Sequence, residues 1–134
     1  MVKNRFTLGK NERLKSRKLI EAVFSNGKNF AQYPFRAFYL LSENGFTVQA
    51  GFGVSGKNFR KAVDRNRIKR LAREAWRLQK NSLCEKLENQ NLHLVLFLIY
   101  TGKELPEYDL VYNKMGMILQ KLTSIVDENN SAHS

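Results

Sequence analysis

The sequence of 134 residues is poor in cysteine, in acidic residues and in long apolar runs. The single cysteine, Cys84, excludes an internal disulfide framework and a cysteine-rich zinc site. No stretch approaches about 18 uncharged apolar residues, so the sequence predicts no membrane span. The basic N-terminus lacks the apolar run of a signal peptide, and we therefore expect a cytoplasmic protein with no membrane partner.

Acidic residues are outnumbered, with 12 Asp and Glu against 23 Lys and Arg, which gives a net charge of +11. The excess lies in two blocks: residues 1–28 hold 8 basic and 2 acidic side chains, and residues 57–80 hold 10 and 2. Residues 81–134 are mildly acidic, with 4 basic and 7 acidic side chains. Two basic blocks in one small chain favour a polyanionic partner over a merely solvated surface.

The hydrophobic fraction of 43% is high enough for a folded core despite the charge. We predict a single polyanion-binding domain over residues 1–134, with RNA, DNA or an anionic membrane surface as the partner and with flexible ends at 1–9 and 127–134. A helix is predicted at 16–26, because Ser16 can cap it and apolar residues follow at helical spacing. Gly27 is expected to end that helix.

Alternating and aromatic segments predict strands at 35–41 and 46–54, joined by a hairpin turn at 43–45. The pattern leaves open whether these segments form two strands or three. The continuous apolar run 92–100 predicts a strand buried on both faces. Helices are predicted at 62–80 and 107–126.

The expected fold is therefore α+β, a small two-layer sandwich of a mainly antiparallel four-stranded sheet and about three helices. The element order is α-β-β-β-α-β-α.

The helix at 62–80 separates its side chains into two faces. At about 100° per residue, Leu71, Ala72, Ala75 and Gln79 lie within about 60° of Ile68 and form the core stripe. Trp76 lies at the edge of that stripe and is predicted to be half-packed. The opposite face is cationic, and it carries Asn66, Lys69, Arg70, Arg73, Arg77 and Lys80.

A protein-based active site is not predicted. Asp64 and Glu74 are about 15 Å apart along a helix and cannot share one metal ion. His93 lies within an apolar strand and is interpreted as a packed histidine, and Cys84 as a small apolar filler. The pattern indicates binding rather than catalysis, with no catalytic residue and no metal ligand on the protein.

The segment 54–77 resembles the signature of the bacterial ribonuclease P protein component. Its core is the triplet 65–67, Arg-Asn-Arg, and the match continues through residues 68–74. The likeness covers roughly residues 6–125. Further agreement lies at Leu14, Lys15, Val23, Phe24, Gly27, Phe35 and Phe38.

The resemblance implies an RNA-binding subunit of an endoribonuclease that removes the 5′ leader from precursor tRNA. The partners would be ribonuclease P RNA and precursor tRNA, with no obligate protein partner. The RNA would carry the catalytic centre and hold the Mg²⁺ cofactor, without protein ligands. The family fold also implies a left-handed β-α-β crossover, against the usual right-handed rule.

The resemblance assigns two sets of site residues. The catalytic RNA would be contacted by Lys57, Arg60, Lys61, Arg65, Asn66, Arg67, Lys69, Arg70 and Arg73. The leader would be contacted by Arg13, Lys15, Ile20, Phe24, Arg36 and Phe38. Strand alternation puts Phe38 on the same face as Arg36, and both Phe24 and Phe38 have the alternative of core packing.

Three other classes remain open from composition. A ribosomal or structural RNA-binding protein would bind ribosomal RNA and leave tRNA precursors unaffected. A DNA-binding regulator would place the basic helix in a major groove, although strands rather than a helix-turn-helix partner precede it. A membrane-surface module would need a broader apolar face than this helix has.

Overall fold

The computed structural model describes residues 13–43 and 48–132 of the chain. The predicted flexible start at 1–9 and the turn residues Asn44 and Gly45 lie outside the described residues. The elements are α1 (Arg17–Asn26), β1 (Lys28–Gln32), β2 (Phe35–Glu43), β3 (Val48–Val54), α2 (Ala62–Gln79), α3 (Asn81–Asn89), β4 (Leu92–Tyr100) and α4 (Tyr108–Ala132). The α+β class with four strands is confirmed, and the described residues contain one helix more than expected.

The four strands form one mixed sheet in the order β1-β2-β4-β3. β2 is antiparallel to both β1 and β4, whereas β3 is parallel to β4. The predicted pairing of 46–54 with 35–41 is wrong, because β4 lies between β2 and β3. This central position explains why the apolar run of β4 is buried on both faces, as the sequence predicts.

A hairpin does occur in the chain, but one strand earlier than predicted. Gln32 pairs with Phe35, so the turn between β1 and β2 consists of Tyr33 and Pro34, which are joined by a cis peptide bond. β1 has the sequence KNFAQ and is largely exposed at the sheet edge. Its composition carries no strand signal of its own, and pairing with β2 stabilises it.

Helix α1 begins and ends near its predicted limits. The Ser16 Oγ accepts a hydrogen bond from the Leu19 N–H at 3.3 Å, which confirms the predicted cap. Gly27 follows the helix with φ −79°, so the left-handed conformation is not used there. A Cβ atom at this position would collide with the carbonyl oxygens of Val23 and Tyr39, so glycine is required by close packing.

The two faces of the sheet bury different clusters. The larger core lies between the sheet and helices α2, α3 and α4, and includes Phe35, Leu96 and Trp76. Because successive strand residues point to opposite faces, Phe38 and Val95 belong to the second face. There α1 packs against a smaller cluster. Among the described residues, the second face is therefore covered mainly by one short helix.

Three details of the helices differ from prediction. Trp76 is fully buried rather than half-packed, because it belongs to the main core. Its ring lies edge-on to that of Phe52 in β3, with the ring centroids 6.5 Å apart. Lys80 is also fully buried, since α3 begins immediately after it. The helical backbone of α4 continues to Ala132, beyond the predicted end at 126, and Lys86 of α3 pairs with Asp127 at 2.5 Å.

Parallel β3 and β4 are connected through α2 and α3. The left-handed sense of this crossover stays a prediction. Within the described part of the chain, none of the helices combines the length and the apolar character needed to cross a membrane.

Candidate nucleic-acid interface

Helix α2 presents a cationic surface on the side facing away from the sheet. The inward side chains of Ile68, Ala72 and Ala75 are buried, as the helical spacing predicts. The outward residues Asn66, Arg67, Arg70 and Arg73 are all exposed. We call these four residues the α2 surface. Like charges at this density repel one another in the free protein, and a polyanion would relieve that repulsion.

Arg77 is not equivalent to the arginines of the α2 surface. Its Nη2 and Nε donate to the two carboxylate oxygens of Glu74, at 2.5 and 3.2 Å. The hydrogen bond from Arg77 lowers the pKa of Glu74, and the same bond raises the pKa of Arg77. This neutralised pair marks where the cationic surface ends toward the C-terminus of α2.

The loop before α2, residues 55–61, carries three of the predicted RNA contacts. Lys57, Arg60 and Lys61 are all exposed. The loop is nevertheless well anchored, because Phe59 is buried against Tyr100 with the ring centroids 6.0 Å apart. In addition, the side-chain amide of Asn58 donates to the carbonyl oxygens of residues 101 and 102. Its basic side chains are thus held on a structured turn.

Aromatic rings from α1, β2 and β4 meet on the second face of the sheet. The ring of Phe24 lies 4.7 Å from that of Phe38 and 5.3 Å from that of Phe97, both in tilted arrangements. Phe24 is 42% exposed, while Phe38 and Phe97 are half-buried. We call this group, together with Arg36, the aromatic cleft. Phe24, Phe38 and Arg36 lie on one face of the sheet, and their assignment to the leader stays a prediction.

Two glycines in β3 make room for the ring of Phe97. A Cβ atom at Gly51 would approach this ring to 2.8 Å, and one at Gly53 would approach it to 2.9 Å. Both distances are shorter than real contacts allow, so larger residues would push the ring out of place. The two glycines therefore let the ring lie across the neighbouring strand.

Arg36 is positioned on the same face by a neighbour on β1. Its Nη1 donates to the Oδ1 of Asn29 at 2.6 Å, and the guanidinium remains exposed. A planar cation beside exposed rings can contact a phosphate while unstacked bases lie on the aromatic surface. Ile20, which was also assigned to this set, is half-buried in the cluster under α1.

A small concavity connects the two predicted sets of residues. It has a volume of about 290 Å³ and lies at the outer edge of β3. Arg13 and Lys15 line it from the segment before α1, and Lys69 and Arg73 line it from α2. The backbone bond from the Leu14 N–H to the Ala50 carbonyl, 3.0 Å long, fixes the first segment there. Two members of the leader set and two members of the catalytic-RNA set therefore line one cationic concavity.

Sequence reasoning missed Phe97. The run 92–100 is apolar throughout, so no single residue in it stands out. The available signal was the pair of glycines two positions apart in β3, which indicates the close approach of a large group. Linking that signal to Phe97 required knowing that β3 is the neighbour of β4.

Within the described regions, 13–43 and 48–132, no three His, Cys, Asp or Glu side chains group together in a way that would hold a metal ion. His93 lies in β4, where its Nε2 is 3.1 Å from the Oε1 of Gln49. Burial lowers the pKa of His93, which favours the neutral ring in a packed position.

Taken together, these features define a small basic α+β protein with a cationic helix face and a group of partly exposed aromatic rings. Comparison with known proteins agrees with this class. The ribonuclease P family model matches residues 8–123. A ribonuclease P protein component from Porphyromonas gingivalis is 37% identical over 123 residues, covering 90% of each chain. A second, from Chlorobium phaeobacteroides, is 33% identical over 128 residues, covering 87% of this chain and 88% of the relative.

The fold also matches a solved structure, the RNase P protein of Staphylococcus aureus. The TM-score is 0.61 with 21% sequence identity, and the match covers 83% of this chain and 94% of the other. The chain belongs to the ribonuclease P protein family. Its role is therefore that of a protein component in a tRNA-processing ribonuclease.

Proposed function

We propose that this protein binds the catalytic RNA of ribonuclease P with one part of its surface and the 5′ leader of precursor tRNA with another. The α2 surface and the loop 55–61 contact the catalytic RNA. The aromatic cleft holds the single-stranded leader. The observation that carries the proposal is the concavity in which Arg13 and Lys15 of the leader set meet Lys69 and Arg73 of the catalytic-RNA set, because two RNAs can then bind at adjoining sites.

Contact with the catalytic RNA is supported by charge and geometry. Guanidinium groups bind phosphates in a bidentate way, and the α2 surface carries three of them on one exposed face. Phosphate contacts of this kind give affinity and orientation without reading sequence. This suits a protein whose partner is a large folded RNA.

Leader binding is supported by the aromatic cleft. Base stacking on exposed rings tolerates any sequence, and it is worth about 1–3 kcal/mol per base. Phe24 is the most exposed of the three aromatic residues, and Arg36 lies on the same face for the backbone phosphate. A precursor would thereby bind more tightly than a mature tRNA, which has no leader to place there.

Mg²⁺ belongs to the RNA in this proposal. The described residues offer no cluster of side chains that fits the ion, so no step is assigned to a protein-bound metal. The basic surface would lower the Mg²⁺ requirement, because it neutralises phosphates that divalent ions otherwise screen. We further propose that the holoenzyme works in the cytoplasm and needs no other protein.

The test is cleavage of a precursor tRNA by the cognate catalytic RNA at low Mg²⁺, with and without the protein. We expect strong stimulation, with the cut at the mature 5′ end. Folded protein that binds RNA but gives no stimulation would contradict the proposal and favour a ribosomal or structural role. Stimulation by an unrelated protein of equal net charge would show that charge alone suffices.

A further inference from the structure

Arg65, the first residue of the Arg-Asn-Arg triplet, differs from its neighbours in what its side chain contacts. Its Nη1 donates to the carbonyl oxygen of Phe59 at 2.8 Å and to that of Arg60 at 2.7 Å. It is half-buried, whereas Asn66 and Arg67 are exposed. The triplet therefore contains one side chain turned toward the protein and two turned toward solvent.

The geometry follows from the direction of helical side chains. Side chains lean toward the N-terminus of their helix, and Arg65 lies close enough to the start of α2 to reach back over it. A cation at this end opposes the helix dipole, so its position needs compensation. Two charge-assisted bonds from one nitrogen to consecutive carbonyl groups supply that compensation.

Arg65 contacts the junction between the anchored part of the loop and the start of α2. Lys61 is the N-cap of α2, and its side chain makes no capping hydrogen bond. On the other side, Phe59 and Asn58 anchor the turn to the sheet. Arg65 thus links the anchored part of the loop 55–61 to helix α2. This link opposes the mutual repulsion of the three positive charges that the loop carries.

We infer that Arg65 is a positioning residue, which acts on RNA through the loop rather than through a phosphate contact of its own. By holding the carbonyl groups of residues 59 and 60, it presents Lys57, Arg60 and Lys61 as one preformed patch. A preformed patch binds more tightly because less conformational entropy is lost on binding. The inference deepens the proposed function and rests on it only for the identity of the ligand.

The first experiment needs no RNA. It measures amide hydrogen exchange in the free protein. The probes are the N–H groups of Asn58 and Phe59, which donate hydrogen bonds to the Ser55 carbonyl. In Arg65→Ala, these amides should exchange about tenfold faster, because local opening sets their exchange rate. In Arg67→Ala, the matched control from the same triplet, they should not change. Equal exchange in wild type and Arg65→Ala would overturn the inference.

The second experiment is a double-mutant cycle with the triple variant Lys57→Ala, Arg60→Ala, Lys61→Ala, which lacks the patch. In the wild-type background, Arg65→Ala should weaken binding of ribonuclease P RNA about tenfold, whereas in the patch-free background the loss should be less than about twofold. Arg67→Ala should cost the same in both. An equal cost of Arg65→Ala in both backgrounds would show that Arg65 contacts RNA directly.

Arg65→Lys distinguishes the contribution of the positive charge from that of the guanidinium geometry. It also replaces the alanine variant as the test if that variant fails to fold. It keeps the positive charge but is shorter and lacks the planar guanidinium. We expect it to speed exchange of Asn58 and Phe59 as well. Wild-type exchange with wild-type RNA affinity would mean that only the charge matters, against the inference. If the wild-type protein does not bind the RNA, the proposed function fails, and the exchange data alone decide the role of Arg65.

Discussion

Removing the arginines of the α2 surface should flatten the salt dependence of RNA binding. Arg67, Arg70 and Arg73 are exposed, and none of their side chains has a hydrogen-bond or ion-pair partner among the described residues. Each is therefore available for one phosphate contact. Each contact to a duplex adds about 0.9 to the slope of log affinity against log salt, so the triple alanine variant should lose about 2.7 of slope.

This slope has a measurable consequence. When salt rises from 50 to 200 mM, the affinity of the wild type and that of the variant both fall. A difference of about 2.7 in slope means that the affinity of the wild type falls by a factor about 40 times larger. The assay is a titration of ribonuclease P RNA at several salt concentrations. Stability should not fall, because the change removes repulsion along an exposed helix face. A melting curve checks this.

The matched control removes the same charge elsewhere. Lys103, Lys114 and Lys121 lie in the acidic third of the chain and outside both predicted sets. Their triple alanine variant has the same net charge as the α2 variant, but it should keep the wild-type slope. Equal flattening by the two variants would refute the reasoning, since it would mean that net charge rather than the α2 surface sets the affinity.

Further predictions concern the cleft and the core. Phe38→Ala should weaken binding of precursor tRNA by about 1–3 kcal/mol per unstacked base while sparing mature tRNA; equal losses on both would exclude leader stacking, and titration of the two RNAs measures the difference. Gly53→Ala should displace the ring of Phe97 and weaken precursor binding in the same assay, whereas Gly56→Ala, with no atom within 4 Å of the new Cβ, should change nothing. Burial lowers the pKa of His93, so as the pH falls the unfolded state takes up the imidazole proton before the folded state does. The free energy of unfolding is therefore unaffected by His93 above about pH 6.5, and it decreases as the pH falls from there toward the lowered pKa of the folded state. Urea unfolding from pH 7.5 to 5.0 should show this decrease in the free energy of unfolding for the wild type and a smaller decrease for His93→Gln. An equal dependence on pH in the two proteins would show that His93 is not the cause.

The elements that the sequence predicts well are those with a strong internal pattern. Helix α2 repeats small apolar residues at helical spacing, and β4 is an unbroken apolar run, so both were located to within a residue. β1 and α3 escaped prediction because β1 is short and polar and α3 follows α2 without a clear break in the pattern. Their formation depends on neighbours distant in sequence.

The order of the strands in the sheet could not be predicted from the sequence for a similar reason. The turn residues at 43–45 favour a hairpin, but local turn signals do not reveal that a later strand will lie between the two. Trp76 is buried where α2 packs against the sheet, and Lys80 is buried at the junction of α2 and α3. In the candidate site, the residue types and the helix face were predictable, whereas the ring of Phe97 and the inward turn of Arg65 required the three-dimensional arrangement.

The central claim is that two different RNAs bind at adjoining sites in a fixed division. The most direct measurement is site-specific crosslinking from single cysteines at Arg70 and at Phe24 in the complex with ribonuclease P RNA and precursor tRNA. Cys84 is buried, so the wild-type protein is the background control. We expect Arg70→Cys to label the catalytic RNA and Phe24→Cys to label the leader. Labelling of the leader from position 70, or of neither RNA from position 24, would contradict the account.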